Sequence, residues 1–245
     1  MTLTPEQIER GLTDKYPETR LEWAQRGDYT PTPEQVERGL VDKNRYIREL
    51  WIKRTDFTPT PEQVERALTD KDERIRRACA KRTDFIATPE QVERGLTDRD
   101  DNVRIVFAQR KDFIPTPEQV ERGLTDDPRV QYAFAQRTDF TPTPEQVEKG
   151  LTNIWNVGDK SIREIFANRT DFTPTSKQVE RGLTDNNENI RKAWAQRNDF
   201  KPTNKQIERG LTDRNNSVKE AWIAKVKEMN NDAFDFEQQE EVFSI

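Results

Sequence analysis

Apolar residues in this chain recur at helical spacing in short stretches, and polar turns separate the stretches. Val64 and Leu68 lie four residues apart and predict one face of a short helix. Ile75 and Cys79 have the same spacing and predict a second helix over 73–82. Two short helices joined by a polar turn form a hairpin, and its apolar faces need a neighbour to cover them.

The first helix of each hairpin carries a clear start signal. Thr60 is placed to cap the helix, Pro61 to occupy its first position, and Gln63 to complete a capping box with Thr60. This block, or a variant of it, begins eight copies, at Thr4, Thr32, Thr60, Thr88, Thr116, Thr143, Thr175 and Thr203. The spacings are 28, 28, 28, 28, 27, 32 and 28 residues.

The fixed period decides the fold class. The chain is 31% hydrophobic and 36% charged, a composition that on its own suggests disorder. A period of this length is instead typical of stacked repeat arrays, in which neighbouring copies share one thin core. The sequence therefore predicts an all-α fold, a right-handed α-solenoid of eight two-helix repeats over residues 1–225. Residues 226–245 are predicted to form an acidic C-terminal cap or tail.

One position of the first helix is small in every repeat. Ala67 occupies it in the third repeat, and glycine occupies it in the others: Gly11, Gly39, Gly95, Gly123, Gly150, Gly182 and Gly210. Since alanine is tolerated, a positive φ is not the reason. We expect the second helix or a neighbouring repeat to pack closely there. Phe85, in the turn after the second helix, is expected to fill the gap beneath the next repeat.

Charged residues recur with the repeats in both signs. In the third repeat they include Arg66, Arg76 and Arg82 together with Glu65, Asp70 and Asp84. Balanced signs favour Asp–Arg pairs between successive repeats over a ribbon that faces phosphate, which needs an excess of positive charge. The segment 226–245 holds six acids and one lysine, so it accounts for the net charge of −5 and leaves the repeats neutral.

Several kinds of chemistry lack the residues that they need. The chain has no histidine, and its one cysteine, Cys79, lies at the position where other repeats have tryptophan or phenylalanine. Catalytic triads and the usual transition-metal sites therefore cannot be assembled. We expect no catalytic residues, no metal site, no cofactor, no small-molecule substrate and no membrane span. One cysteine and the lack of a secretory leader lead us to expect a cytoplasmic location.

The pattern Leu68-x-Asp70-x-Asp72-x-x-Ile75-Arg76-x-x-x-Ala80 resembles HEAT-like repeats, and most closely those of the leucine-rich repeat variant type. The resemblance covers about residues 4–225 and implies a helical repeat array. Such families include protein scaffolds, nucleic-acid binders and occasional enzymes, among them glycosylases that use a carboxylate. Here the repeats are longer than is usual for the variant. Gln131 and Lys219 replace the second-helix arginine in the fifth and eighth repeats.

Function is expected where the period fails or side chains vary. The aromatic series at the Cys79 position is assigned to the core and not to base stacking. The partner-binding candidates are variable residues that should face water and apolar residues of an insertion in the sixth repeat: Tyr16, Tyr46, Ile105, Tyr132, Ile154, Trp155 and Val157. The insertion, Ile154 to Gly158, is either a binding loop or a cover for a gap left by the shortened fifth repeat.

These observations predict a non-enzymatic repeat scaffold that binds a protein partner. The alternatives are a nucleic-acid-binding HEAT-like repeat protein and an acidic regulator that mimics nucleic acid. The acidic segment contains Phe234, Phe236, Val242, Phe243 and Ile245. It is interpreted either as a cap for the last repeat or as a peptide that docks on a basic partner.

Overall fold

A computed structural model describes residues 3–157 and 160–242, with the side chains of 156, 157, 160 and 231–242 outside the description. Gly158, Phe243 and Ile245 lie outside the described residues, as do the side chains of Val157, Phe234, Phe236 and Val242. The chain divides into two compact units, Met1–Gln119 and Val120–Ile245, called the N-terminal and C-terminal units below.

The described residues form sixteen helices and one short hairpin of strands. In chain order they are α1 Pro5–Leu12, α2 Pro17–Gln25, α3 Pro33–Leu40, α4 Arg45–Lys53, α5 Pro61–Leu68, α6 Glu73–Ala80, α7 Pro89–Leu96, α8 Asp101–Gln109, α9 Pro117–Gly123, α10 Pro128–Ala135, α11 Pro144–Thr152, β1 Asn156–Val157, β2 Lys160–Ser161, α12 Ile162–Asn168, α13 Ser176–Leu183, α14 Glu188–Gln196, α15 Asn204–Leu211 and α16 Asn216–Val242. Eight pairs of helices correspond to the eight predicted repeats, so the predicted helical repeat fold is confirmed.

Start signals in the first helices are used as predicted. In the third repeat the Thr60 hydroxyl accepts the Gln63 N–H, and the Gln63 side chain accepts the Thr60 N–H. The same reciprocal bonds occur at the starts of the other first helices. The capping box thus satisfies two donors at the start of each first helix. These bonds matter because each helix has only seven to nine residues.

Second helices form the continuous part of the core. In the N-terminal unit α2 packs on α4, α4 on α6 and α6 on α8; in the C-terminal unit α10 packs on α12, α12 on α14 and α14 on α16. Ile75 and Cys79 are buried, as the predicted stripe requires. The second helix of this repeat ends at Ala80, two residues earlier than predicted.

The small first-helix position is explained by the aromatic side chain of the same repeat's second helix. A Cβ built on Gly39 would lie 2.2 Å from Trp51 Cδ1, and one built on Gly150 would lie 2.2 Å from Phe166 Cδ2. Because these neighbours are rings fixed in a core, no side chain fits on the glycine. The predicted close packing is therefore confirmed, and the packing partner is the second helix.

The sixth repeat departs from the all-helical pattern. Its insertion forms a two-residue antiparallel ladder, in which Asn156 is opposite Ser161 and Val157 is opposite Lys160. At the other end of the chain, the predicted boundary at residue 225 falls within α16, which runs from Asn216 to Val242.

Candidate functional site

Most of the repeated charges are bound to neighbouring repeats. Arg76 of the third repeat donates from Nε and Nη2 to the Asp98 carboxylate of the fourth, at 2.7 Å each, and from Nη1 to the Asp70 carbonyl at 2.9 Å. Its side chain is 6% exposed and that of Asp98 is 8% exposed. Equivalent pairs are Arg20–Asp42, Arg48–Asp70, Arg163–Asp185 and Arg191–Asp213. We call this series the Arg–Asp ladder.

The charges of the ladder stabilise each other. The hydrogen bond to Asp98 raises the pKa of Arg76, and the hydrogen bond from Arg191 lowers the pKa of Asp213. For Asp42, burial raises the pKa, but the bonds from Arg20 and the Asn44 N–H outweigh burial and lower it. These groups therefore stay charged in the folded protein. Their hydrogen-bonding atoms are engaged within the fold and are not available to a ligand.

One step of the ladder is neutral. In the fifth repeat Gln131 replaces the arginine, and in the sixth Asn153 replaces the aspartate. The Gln131 Nε2 donates to the Asp126 carbonyl at 2.6 Å, and the Asn153 Nδ2 donates to Gln131 Oε1 at 2.6 Å. The amide pair thus keeps the bond to the carbonyl of the same repeat, and it replaces the charged bonds across the junction with one neutral bond of opposite direction. Gln131 departs visibly from the repeat pattern, whereas its partner Asn153 is recognisable only from the contact.

A second series holds the end of each second helix. Arg110 of the fourth repeat donates to the carbonyl oxygens of Ala80, Arg82 and Phe85 in the third, at 2.6, 2.9 and 3.1 Å. Its guanidinium also binds Asp112 and lies 4.5 Å from the centre of the Phe85 ring. Phe85, which was expected to fill the gap beneath the next repeat, is in contact with that repeat, and its ring is a platform for the arginine there.

A third series, on the first helices, is more exposed. The Glu65 carboxylate accepts from Arg94 at 2.6 Å and from Gln91 at 3.1 Å, both in the next repeat. Pairs of this exposure add little stability each. The first and third series use opposite charges across repeat junctions, which is the arrangement that the balanced composition predicted. The second series joins repeats through carbonyl oxygens instead.

The predicted partner-binding residues differ in exposure. Ile154 is 80% exposed, Trp155 56%, Tyr16 57% and Tyr46 48%. Ile105 and Tyr132 are half-buried, although both were expected to face water. Tyr16, Tyr46 and Ile105 belong to the N-terminal unit, and Tyr132, Ile154, Trp155 and Val157 belong to the C-terminal unit.

The hairpin of the sixth repeat combines features of both interpretations of the insertion. Strand β1 packs against α10, the shortened fifth repeat's second helix, which carries Tyr132. The side chains just before the strand, Ile154 and Trp155, remain exposed, while the Trp155 N–H is fixed by Asn153 Oδ1 at 2.8 Å. The backbone therefore covers the neighbouring helix and presents two large apolar side chains to solvent. We call Ile154 and Trp155 the hairpin anchor.

Tyr46 lies among arginines. Arg45 Nη2 donates to the Tyr46 hydroxyl at 3.0 Å, and the guanidinium carbons of Arg45 and Arg74 lie 4.9 and 5.9 Å from the ring centre. Arg45 first and Arg74 second lower the pKa of the Tyr46 hydroxyl. The ring thus lies beside two cations and stays exposed.

Two exposed isoleucines were missed by sequence analysis. Ile86 is 78% exposed and Ile114 is 75% exposed, at a loop position where Thr30 and Thr58 stand in the first two repeats. Ile86 borders a cleft of about 520 Å³ between the third and fourth repeats. The sequence does contain a signal for them, because an isoleucine in place of a loop threonine adds apolar surface that the turn does not need.

Two kinds of site are missing from the described residues. None of the helices there is both long and apolar enough to cross a membrane. No cluster of three or more acids or cysteines that could hold a metal ion occurs in that part of the chain. Burial raises the pKa of the Cys79 thiol to about 12, so this thiol is protonated and unreactive at neutral pH.

The fold places the protein among helical repeat arrays. A solved structure described as "a leucine-rich repeat variant with a novel repetitive protein structural motif" is similar, with a TM-score of 0.61 and 22% identity over 90% of this chain and 81% of the other. At this identity the likeness shows a shared fold, as the Leu-Asp and Ile-Arg pattern implied. No protein-family model matches the chain, and no curated protein does.

Proposed function

We propose that this protein is a non-enzymatic repeat scaffold that binds a protein partner through the hairpin anchor. The supporting observation is the exposure of Ile154 and Trp155 on a backbone that α10 and Asn153 hold in place. A tryptophan that stays exposed on a supported turn is typical of the residues that dominate binding energy in protein interfaces. Tyr132, on the helix against which the hairpin packs, would add an aromatic side chain to this binding surface.

The variable residues of the N-terminal unit would form a separate contact surface. Tyr16 and Tyr46 are exposed aromatic side chains with a polar tip, a type that is enriched in interfaces. The repeated arginines, in contrast, are engaged by carboxylates and carbonyls of adjacent repeats. The proposed scaffold therefore binds through aromatic and aliphatic side chains, and its repeated charges hold the array together. A cytoplasmic location stays a prediction.

A capture experiment tests this proposal. The full chain and a variant with Ile154→Ser and Trp155→Ser are immobilised, incubated with cell extract, and compared by quantitative mass spectrometry. The matched control is Val41→Thr, because Val41 is also exposed and other repeats have threonine there, as at Thr13 and Thr69. We expect one partner to be retained by the wild type and the control and lost by the hairpin variant.

Two results would count against the proposal. Equal capture by the hairpin variant would show that the anchor is not the binding surface. A large drop in the melting temperature of that variant would show that the hairpin is structural. The nucleic-acid alternative makes a different prediction, namely micromolar DNA or RNA binding that weakens steeply with salt in gel shifts.

A further inference from the structure

The cleft between the third and fourth repeats combines an apolar floor with positive charge. Phe85 and Ile86 of the third repeat and Val106 of the fourth line it, together with Lys81 and Lys111. Its volume of about 520 Å³ is within the usual range for a binding pocket. The cleft lies within the N-terminal unit and is separate from the hairpin anchor.

The apolar part of this cleft is not required by the repeat. Ile86 stands where the first two repeats have Thr30 and Thr58, and both threonines precede a turn of the same kind. Ile114 makes the same change in the next repeat, so two adjacent repeats each expose an isoleucine. Because threonine serves this turn elsewhere, the exposed isoleucines add apolar surface without a role in folding.

Two lysines add positive charge at this junction. Lys81 stands where the fourth repeat has Gln109 and the second has Lys53, which is paired with Glu49. Lys111 stands where the second and third repeats have Thr55 and Thr83. Neither lysine side chain has a hydrogen bond or ion pair with the described residues. They therefore differ from the arginines of the repeat junctions, which are held by carboxylates.

The one acid that lines the cleft is already bound. Asp112 accepts from Arg110 at 2.6 Å and from the Ala87 N–H at 2.9 Å. That second bond exists because the third repeat has Ala87 where the flanking repeats have proline, as at Pro59 and Pro115, which has no N–H. Asp112 thus offsets Arg110, and the charges of Lys81 and Lys111 are left for a ligand.

We propose that this cleft binds an acidic peptide segment of a partner protein, with an apolar side chain against Phe85, Ile86 and Val106 and carboxylates facing Lys81 and Lys111. Adjacent helices in such arrays lie about 8–10 Å apart. A peptide in the polyproline II conformation has three residues per turn and advances about 3.1 Å per residue. Anchors three residues apart therefore lie on one face of the peptide, about 9 Å apart, which matches the spacing expected for Ile86 and Ile114 in successive repeats. The preferred ligand thus has two apolar side chains separated by two residues.

A defined probe tests the cleft directly. It is a fluorescein-labelled, acetylated peptide of sequence Glu-Asp-Phe-Asp-Glu-Leu-Glu-Asp, titrated with the full chain and followed by fluorescence anisotropy. We expect saturable binding with a Kd below about 1 mM, weakening as salt rises because exposed charges are screened. A second probe with glutamine and asparagine in place of the acids should bind on the order of tenfold more weakly.

The same surface is tested with variants in which each new residue is the one that another repeat has at that position. The fourfold variant carries Lys81→Gln, Ile86→Thr, Lys111→Thr and Ile114→Thr, each matching a neighbouring repeat. We expect its Kd for the acidic probe to rise on the order of tenfold or more, since both the charges and the apolar anchors are lost. The control carries Val41→Thr and Lys43→Asn, matching Thr69 and Asn186, and should bind like the wild type.

Three outcomes would overturn the proposal: no saturable binding by the wild type, equal binding by the fourfold variant, or equal binding of the neutral probe. If the fourfold variant melts at a lower temperature, Lys81→Gln and Lys111→Thr are tested separately, because each changes only an exposed side chain. Unchanged affinity in both of these variants would then reject the role of the lysines. The hairpin variant should keep full affinity for the probe, so the two proposals fail independently.

Discussion

Gly95 lies against the Phe107 ring so closely that a Cβ on Gly95 would be 2.1 Å from Phe107 Cδ2. The third repeat solves the same packing problem with different residues. There Ala67 stands in place of the glycine, and the small thiol of Cys79 stands in place of the ring. A methyl group on the first helix is thus compatible with the fold only where the second helix carries a small side chain.

Replacing Cys79 by phenylalanine should therefore destabilise the protein, although three other repeats have phenylalanine at this position. The ring would meet the Ala67 methyl, and overpacking of this kind costs about 1–3 kcal/mol. The double variant Ala67→Gly with Cys79→Phe should recover most of that loss, because it restores the pair found at Gly95 and Phe107. The measurement is thermal and urea unfolding of the wild type and three variants.

The single variant Ala67→Gly completes this cycle. It should lose about 1 kcal/mol from backbone entropy and the lost methyl. If the effects of the two single changes add in the double variant to within about 0.5 kcal/mol, the side chains do not share one space and the prediction fails.

The neutral step of the Arg–Asp ladder allows a second prediction. Arg76→Gln leaves the Asp98 carboxylate buried without its main partner and should cost about 3 kcal/mol. Adding Asp98→Asn recreates the amide pair of Gln131 and Asn153, so the double variant should be at least about 1 kcal/mol more stable than Arg76→Gln alone. Urea unfolding measures both changes.

Lys53→Gln is the control for this pair of variants, because Lys53 is exposed and its ion pair with Glu49 adds little stability. If Arg76→Gln lowers the free energy of unfolding by no more than Lys53→Gln does, burial does not increase the contribution of the Arg–Asp ladder to stability. If the double variant is less stable than either single variant, the amide pair cannot replace the ion pair at this junction.

The features that follow from one repeat could be predicted from the sequence. The capping box of Thr60 and Gln63, the buried stripe of Ile75 and Cys79, and the close packing at the glycine position are all local patterns. The role of Phe85 was not predicted, because an aromatic residue in a repeat suggests core packing and a nearly buried arginine is rare. Its platform role depends on Arg110 of the next repeat, 25 residues further along the chain.

Paired departures from the repeat were harder to recognise than single ones. Sequence analysis noted Ala67, Cys79 and Gln131 separately, but each change makes sense only with its partner across a helix or repeat junction. The candidate site shows the same limit. Tyr132 and Ile105 were chosen by their helix positions and are half-buried, whereas the more exposed Ile86 and Ile114 lie in loops, where helical periodicity gives no signal.

Below about pH 8, stability should depend on pH only in the acidic range. The pKa values of Asp42, Asp70 and Asp213 are lowered in the folded protein, so between the folded and unfolded pKa values the unfolded chain binds more protons. Their contribution is fully present above about pH 5 and is lost as the pH falls through about 4 and below. Since the chain has no histidine, the free energy of unfolding should be nearly constant from about pH 5.5 to 8.

Urea unfolding at about pH 8, 6, 5, 4 and 3 measures this dependence. The Asp70→Asn variant serves as a control, because it should be less stable at neutral pH and lose less stability on acidification. A fall in stability between about pH 8 and 6 would contradict the assignment, since none of these aspartates titrates in that range.

Lys225 occupies a position where an arginine should make the folded protein more stable. It occupies the position of Arg110 and Arg197, lies 5.0 Å from the centre of the Phe200 ring and donates to the Arg197 carbonyl. Burial lowers the pKa of this ammonium, which means that its charge is held at a cost. A guanidinium is more weakly hydrated and could reach several carbonyls at once, as Arg197 does with Ala167 and Phe172.

Lys225→Arg should therefore raise the free energy of unfolding by about 1 kcal/mol, the net value of an added buried hydrogen bond. The control is Lys227→Arg, which makes the same change at an exposed position of α16 and should have no measurable effect. Melting curves of the three proteins at neutral pH give the comparison. A lower melting temperature for Lys225→Arg would mean that α16, which continues as a helix beyond this position, leaves no room for the larger side chain.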